Sequence, residues 1–177
     1  MSGPVERDET LVDLVVEEPG WERALPDLHP IATRAAELAL GAAGLSPHAF
    51  TLAVLACDDD RIAALNAEFR GKSMPTNVLS WPAFPLAAAM PGALPGRPPG
   101  PQAGQRTPLG DVAIALQTVV REAETGELPL KNHTLHMILH GCLHLLGYDH
   151  ERPEDAELME GLERRALASA GIADPYA

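Results

Sequence analysis

Apolar residues along the chain either alternate with polar ones or recur every three to four positions, and these two periods predict strands and helices in turn. Strands are predicted at 10–17, 50–57, 77–81 and 110–116. Helices are predicted at 28–43, between Asp58 and Gly71, and at 117–124, 130–146 and 153–170. Because strands and helices are interleaved, we expect one α+β domain over residues 1–177, a mixed α/β arrangement in which about five helices pack on a sheet of about four strands.

The segment 82–108 breaks this pattern. It holds eight of the 17 prolines and four glycines in 27 residues. Such a composition cannot sustain a helix or a central strand. We therefore predict a long, partly mobile inserted loop, of the kind that in compact domains is usually functional or disordered.

Composition excludes several classes of protein. Hydrophobic residues make up 46% of the chain, so a substantial core can form, and aromatic residues make up only 4%, which argues against a base-stacking platform. The net charge of −12 argues against a surface that coats nucleic acid broadly. The acidity is uneven, however, because residues 61–110 carry five basic side chains and one acidic one. We therefore expect a local basic strip on an otherwise acidic protein, whose binding of any isolated RNA would be weak and salt-sensitive.

Cysteine usage and the chain start predict the compartment. The two cysteines, Cys57 and Cys142, form no framework of spaced pairs, which favours a reducing environment. Residues 1–9 are acidic and lack the pattern of a signal peptide, and no apolar run approaches the length of a membrane span. A cytoplasmic protein without a membrane partner is expected.

Five of the seven histidines fall between His133 and His150. His140 and His144 are four positions apart on a predicted helix, about 40° apart in direction and about 6 Å in rise, so both rings can reach one ion. Gly147 can turn the chain back and allow His150 to supply a third ligand. Three imidazoles leave coordination positions open, as in a catalytic zinc site. We predict one zinc-like divalent ion per chain on this helix near the C-terminus.

The remaining candidate ligands fail this geometry. His136 lies eight residues from His144, about 12 Å along the helix axis, and His133 is farther still, so core, surface or ligand-supporting roles are expected. Cys142 points away from His140. The spacing of the three ligands matches the metzincin proteases, but the glutamate that serves them as general base is replaced here by Gly141. Peptide hydrolysis of that type therefore lacks its proton acceptor.

With glycine at that position, residues 140–150 resemble the signature of the YbeY family of metal-dependent endoribonucleases. Residues 65–82 and 109–114 resemble two further blocks of the family, and the order of elements is similar from about residue 10 to 170. The chain departs from the family at Asn77, where aspartate is usual, and in its longer Pro/Gly-rich insert.

The resemblance implies a single-strand-preferring endoribonuclease that acts in ribosomal RNA maturation, at the 3′ end of 16S rRNA, and in ribosome quality control. It implies contacts with the small ribosomal subunit and the Era GTPase, and no DNA partner. His140, His144 and His150 are the expected metal ligands, Arg70 and His140 the expected catalytic residues, and Arg70 and Lys72 the expected substrate contacts. An arginine can hold a phosphodiester with two hydrogen bonds.

Several residues retain a simpler explanation. Arg70 in the last turn of a helix complements the helix dipole, and Lys72 fits a solvated loop equally well. Asp149 either orients a ligand imidazole, accepts a proton, or does neither. Helix capping explains the carboxylates that follow Cys57, and structural roles are favoured for Asp111 and Tyr148. No side chain is an obvious general base, so metal-bound hydroxide or the 2′-hydroxyl of the RNA would have to serve in its place.

Two other classes of function stay open. One is a non-catalytic, zinc-stabilised ribosome assembly factor. The other is a metallohydrolase acting on another substrate, including peptides.

Overall fold

The computed structural model describes residues 10–177. Residues 1–9, for which no signal peptide is predicted, lie outside the described part of the chain. The strands are β1 (Val12–Val16), β2 (Phe50–Cys57), β3 (Val78–Pro82) and β4 (Thr107–Ala115). The α-helices are α1 (Gly20–Ala24), α2 (Leu28–Ala42), α3 (Asp59–Arg70), α4 (Leu116–Thr125), α5 (Leu130–Leu145) and α6 (Pro153–Ser169), and a short 3₁₀ turn spans Pro47–Ala49.

The four strands form one mixed sheet in the order β1-β2-β4-β3. β1 and β4 flank β2 in parallel, and β3 runs antiparallel to β4 at the edge. The nearly all-apolar sequence of β2 suits this central place, where one face is buried and the residues of the other, Thr51, Ala53 and Leu55, are only partly exposed. The predicted mixed fold with four strands is confirmed.

Most of the hydrophobic core lies between the sheet and the helices α2, α5 and α6. A smaller cluster around Ile62 lies beneath α3. At the start of α3, Asp58 accepts a hydrogen bond from the backbone N–H of Arg61 at 2.7 Å, which confirms the capping role expected there. Phe69, on the same helix, is exposed and meets the edge of Trp81 with 5.5 Å between ring centroids.

The prediction of about five helices missed α1. This helix has a single turn of five residues, too short to show a helical period in the sequence. Long-range contacts stabilise it instead, because the indole Nε1–H of the fully buried Trp21 donates to the carbonyl of Cys57 at 2.9 Å.

The predicted insert is shorter than expected at its C-terminal end, since β4 begins at Thr107 rather than at 110. Pro108 is tolerated in the strand because the pairing of β2 with β4 shifts register between Thr51 and Ala53. The loop between Pro82 and Thr107 contains no helix and, apart from the isolated bridge between Gln102 and Gln105, no strand pairing.

The insert is nevertheless attached to the rest of the fold by specific contacts. Arg152 donates to the carbonyl of Ala88 at 3.0 Å, and Asp155 accepts from the backbone N–H of Gly92 at 2.9 Å. Within the loop, the backbone N–H of Gly96 donates to the backbone carbonyl of Leu86 at 2.8 Å. These contacts hold the segment from Leu86 to Gly96 against the start of α6.

Candidate metal centre and cleft

Three histidines converge at the C-terminal end of α5. His140 and His144 lie one helical turn apart, and His150 follows from the segment after the helix. The ring centroids are 4.7 Å apart for His140 and His144, 5.2 Å for His140 and His150, and 5.1 Å for His144 and His150. One ring nitrogen from each residue lies within 4.8 Å of the other two. The three predicted ligands therefore lie together at the end of α5, as their spacing in the sequence predicts.

Local backbone geometry explains how His150 returns to the helix. Gly147 has φ of +92°, a conformation that suits glycine because it has no Cβ. The insert also packs against this turn, since a Cβ at position 147 would lie 2.7 Å from the carbonyl carbon of Leu86. Asp149 accepts a hydrogen bond from the backbone N–H of His150 at 2.7 Å. This hydrogen bond constrains the backbone at His150 and does not involve the imidazole ring.

The donor set fits a metal ion in a neutral-imidazole site. The Nε2 atoms of His140 and His144 face each other at 3.1 Å. Burial, together with the neighbouring His140 and His150, lowers the pKa of His144 to about 4. The ring is therefore neutral near pH 7, and neutral imidazole is the form that binds a metal.

A carboxylate that the sequence interpretation missed lies directly behind His140. Glu163, on α6, has a completely buried side chain, and its Oε1 lies 2.6 Å from Nδ1 of His140. Its Oε2 lies 2.7 Å from Nε2 of His136 and also accepts from the hydroxyl of Tyr176. Burial opposes ionisation of Glu163, but these hydrogen bonds outweigh it and hold the carboxyl pKa well below its usual range.

One signal in the sequence does point to Glu163. It stands four residues after Met159 and four before Leu167, on the apolar stripe of α6. A carboxylate at such a position needs a buried partner. What the sequence does not contain is the identity of that partner, which lies on another helix.

A second histidine–glutamate pair lies farther along α5. Nε2 of His133 lies 2.8 Å from Oε2 of Glu122. The same carboxylate receives the side-chain amide of Asn77 at 3.1 and 3.2 Å. An aspartate at position 77 would instead place a second carboxylate against Glu122, so the departure from the family pattern matches the local hydrogen bonding. His133 and His136 both contact glutamates outside the three-histidine cluster, while Cys142 is buried and unpaired.

The three histidines open into a cleft of about 540 Å³. Arg70, from the C-terminal end of α3, lines this cleft together with Asn77 and Ser80. The cleft continues into a second lobe of about 490 Å³ that shares Arg70, Ser80 and His144 and is bounded by the insert around Phe84. Arg70 thus lies between the metal centre and the insert.

The other predicted substrate contact, Lys72, and the acidic candidate Asp111 lie outside the cleft. Lys72 is exposed in the loop after α3, apart from the residues that line the cleft. Asp111 is exposed on β4, opposite Trp81 of β3. Tyr148 is half-buried against the main core, in agreement with a packing role.

The position of the protease glutamate is packed against the sheet. Gly141 is buried, and a Cβ there would lie 2.8 Å from Cγ1 of Val112 and 3.2 Å from Oγ of Ser80. The carbonyl of Gly141 accepts a hydrogen bond from the same serine hydroxyl at 3.1 Å. The helix therefore packs against β3 and β4 too closely to admit a catalytic glutamate at this position.

Among residues 10–177, no helix has the length and apolar character needed to cross a membrane.

Comparison with known proteins identifies the family. The signature of the family described as Endoribonuclease YbeY matches residues 21–171. Endoribonuclease YbeY of Ruegeria pomeroyi is 53% identical over 165 residues, which cover 93% of this chain and 97% of the relative. Endoribonuclease YbeY of Cereibacter sphaeroides is 49% identical over 168 residues, which cover 95% of this chain and 99% of the relative.

Among solved structures, the solution structure of TM1509 from Thermotoga maritima has a TM-score of 0.49 and 20% identity, covering 94% of this chain and 99% of that one. The sequence matches alone carry the assignment. Because the signature spans most of the chain and the relatives align over nearly their full length, the chain belongs to the Endoribonuclease YbeY family.

Proposed function

We propose that this chain is a metal-dependent endoribonuclease that cleaves single-stranded RNA during ribosomal RNA maturation. The observation that carries the proposal is the shared cleft, in which the three-histidine cluster and Arg70 line one surface. Membership of a family whose members are named endoribonucleases supports the same activity.

The proposed metal ligands are His140, His144 and His150, and the proposed ion is Zn²⁺, which favours imidazole nitrogen and leaves a position open when three histidines bind it. Such an ion, when bound, supplies Lewis acidity toward a phosphoryl oxygen or water. The neutral state of His144 and the hydrogen bond from His140 to Glu163 support this assignment, because both leave ring nitrogens free of protons.

Arg70 is proposed to bind the phosphate of the scissile bond. Its guanidinium can donate two parallel hydrogen bonds to phosphate oxygens and stabilise the charge that develops there. Lys72, exposed two residues farther along, is proposed to add a weaker, longer-range attraction for the RNA backbone. Among the basic residues of 61–110, Arg70 lines the cleft, whereas Arg61 pairs with Glu17 and Arg97 contacts the carbonyl of Gly44, so support for an RNA strand along this side of the cleft rests on Arg70.

The carboxylates that line the main cleft are poor candidates for a general base. Glu163 is already engaged by three hydrogen-bond donors. Glu160 is paired with Arg164 at 3.5 Å. No carboxylate of the main cleft is therefore proposed as general base, and the attacking oxygen would come either from water activated by an ion at the histidines or from the 2′-hydroxyl of the RNA.

Further elements of the proposal follow from the family resemblance. They are action at the 3′ end of 16S rRNA, a part in ribosome quality control, contacts with the small ribosomal subunit and the Era GTPase, and a cytoplasmic location. The weak affinity expected for isolated RNA is consistent with specificity supplied by a ribosomal partner.

The test is cleavage of a labelled single-stranded RNA and of its duplex by the purified protein. We expect cleavage of the single strand, its loss after metal removal by a chelator, and its recovery when Zn²⁺ is added back. His144→Ala, purified in parallel, is expected to be inactive and controls for contaminating nucleases. Cleavage that persists both after metal removal and in His144→Ala would contradict the proposal, and a folded His144→Ala that still supports 16S maturation in cells would favour the assembly-factor alternative.

A further inference from the structure

We propose that the buried Glu163 and the partly exposed Tyr176 form a clamp that positions His140 as a metal ligand. This inference rests on the proposed metal site and extends it to two residues outside the histidine cluster. Glu163 and Tyr176 are positioning residues in this scheme, since they act through His140.

Glu163 and His140 share a short hydrogen bond. A carboxylate is an acceptor, so the 2.6 Å contact requires that Nδ1 of His140 hold the proton. Nε2 then carries the lone pair, and this atom faces Nε2 of His144 at 3.1 Å. The carboxylate thereby selects the tautomer and the ring orientation that a metal ligand needs, and it increases the basicity of the ligand.

Glu163 is buried as a carboxylate, which costs free energy. Its side chain has no exposed area, and the hydrogen-bond donors that it meets among the described residues are two imidazoles and a phenol, not lysine or arginine. A buried carboxylate is strongly unfavourable unless it is paired and hydrogen-bonded. A cation held by His140 would provide the opposite charge, so the buried carboxylate of Glu163 has a function as the partner of a metal ligand.

Tyr176 is attached both to Glu163 and to the end of its own segment. Its hydroxyl donates to Oε2 of Glu163, and its backbone N–H donates to Oδ1 of Asp174 at 2.8 Å. Arg164 pairs with Asp174 at 3.2 Å, and its guanidinium carbon lies 5.3 Å from the centre of the Tyr176 ring. The segment after α6 is thus folded back on that helix, so that the phenol closes the remaining side of the carboxylate.

The experiment measures metal affinity rather than activity. Zn²⁺ binding is measured by competition with a chromophoric chelator, and the absorption spectrum of the Co²⁺-loaded protein reports the coordination geometry. Glu163→Gln removes the charge at nearly constant volume, and Tyr176→Phe removes only the hydroxyl. Glu122→Gln is the matched control, because Glu122 contacts His133 on the same helix at 2.8 Å but lies outside the metal cluster.

We expect Glu163→Gln to weaken Zn²⁺ binding by about 10–100-fold and to change the Co²⁺ spectrum, the range typical of residues that support metal ligands. Tyr176→Phe should weaken binding less, in the same direction, while Glu122→Gln should bind Zn²⁺ as the wild type does. A merely structural role would lower the unfolding midpoint of the metal-free protein and leave both metal readouts unchanged.

Two outcomes are distinguishable. Wild-type protein that binds Zn²⁺, with Glu163→Gln and Tyr176→Phe binding it equally well, would overturn the clamp and leave the proposed function intact. Wild-type protein that binds no Zn²⁺ would overturn the proposed metal site and the clamp with it. Should Glu163→Gln not fold, the Tyr176→Phe comparison with wild type decides the question.

Discussion

Gly141 packs so closely against Val112 that a Cβ at position 141 would lie 2.8 Å from Cγ1 of the valine. This approach brings α5, with its two metal-binding candidates, directly onto β3 and β4. The approach leaves no room for a side chain at position 141, which is why a glutamate cannot act there as it does in metzincin proteases.

Gly141→Ala is expected to destabilise the protein. Overpacking a buried site costs about 1–3 kcal/mol, which exceeds the gain of about 1 kcal/mol from replacing glycine by alanine within a helix. The control is Gly41→Ala near the end of α2, where a Cβ would meet no atom within 4 Å. That variant should be more stable by about 0.4–1 kcal/mol. Urea unfolding of both variants measures the contrast, and a stabilised Gly141→Ala would contradict the packing described.

Arg70→Ala is expected to reduce RNA cleavage without loss of metal. Removal of one donor that stabilises developing charge typically lowers the rate by about 100-fold or more. Arg70→Lys should recover only part of the rate, because lysine cannot form the paired hydrogen bonds of a guanidinium. Steady-state cleavage rates and Zn²⁺ content check both expectations. Arg61→Ala serves as the control, since Arg61 lies in the first turn of the same helix and pairs with Glu17 at 3.1 Å. Equal losses of cleavage rate in Arg61→Ala and Arg70→Ala would argue against a phosphate contact at Arg70.

Asn77→Asp, which introduces the residue usual in the family, is expected to destabilise this chain by about 1–2 kcal/mol. The side-chain amide donates to both oxygens of Glu122, and the substitution replaces a hydrogen bond to a charged group by repulsion between two carboxylates. Glu122→Gln in the same chain should restore most of the loss. Unfolding free energies of the two single variants and the double variant form the cycle, and purely additive effects would show that the two side chains do not interact.

Asp155 is expected to contribute stability that depends on pH. Hydrogen bonds from the Gly92 N–H and from Arg152 lower the pKa of Asp155 below its usual value. A lowered folded-state pKa means that the stabilisation is fully present above the unfolded-state pKa and is lost as pH falls through the folded-state value. The difference in unfolding free energy between wild type and Asp155→Asn should therefore be constant near neutral pH and shrink under acid conditions. Urea unfolding at a series of pH values from neutral to acid measures this difference, in which the titration of groups common to both proteins cancels. A difference in unfolding free energy that grows as the pH falls would contradict the lowered pKa of Asp155.

Elements with a strong local period could be predicted well. The strand β2 was predicted at its observed bounds because its apolar run is continuous, and α5 and α6 were predicted to within one residue because each is long and bounded by recognisable residues. The single turn of α1 could not be predicted, since it depends on the hydrogen bond from the Trp21 indole to the carbonyl of Cys57. The first residues of β4 could not be predicted either, since they depend on the register in which β4 pairs with β2.

The sequence by itself determined the three-histidine cluster, because all three candidates lie within eleven residues and helix geometry with one glycine turn brings them together. Only the tertiary structure decided what surrounds that cluster. Glu163 meets His140 across 23 positions, and Asn77 meets Glu122 across 45. Helical spacing specifies directions within one element, whereas these contacts depend on how α6, α4 and β3 pack against α5 and one another, which no local period records.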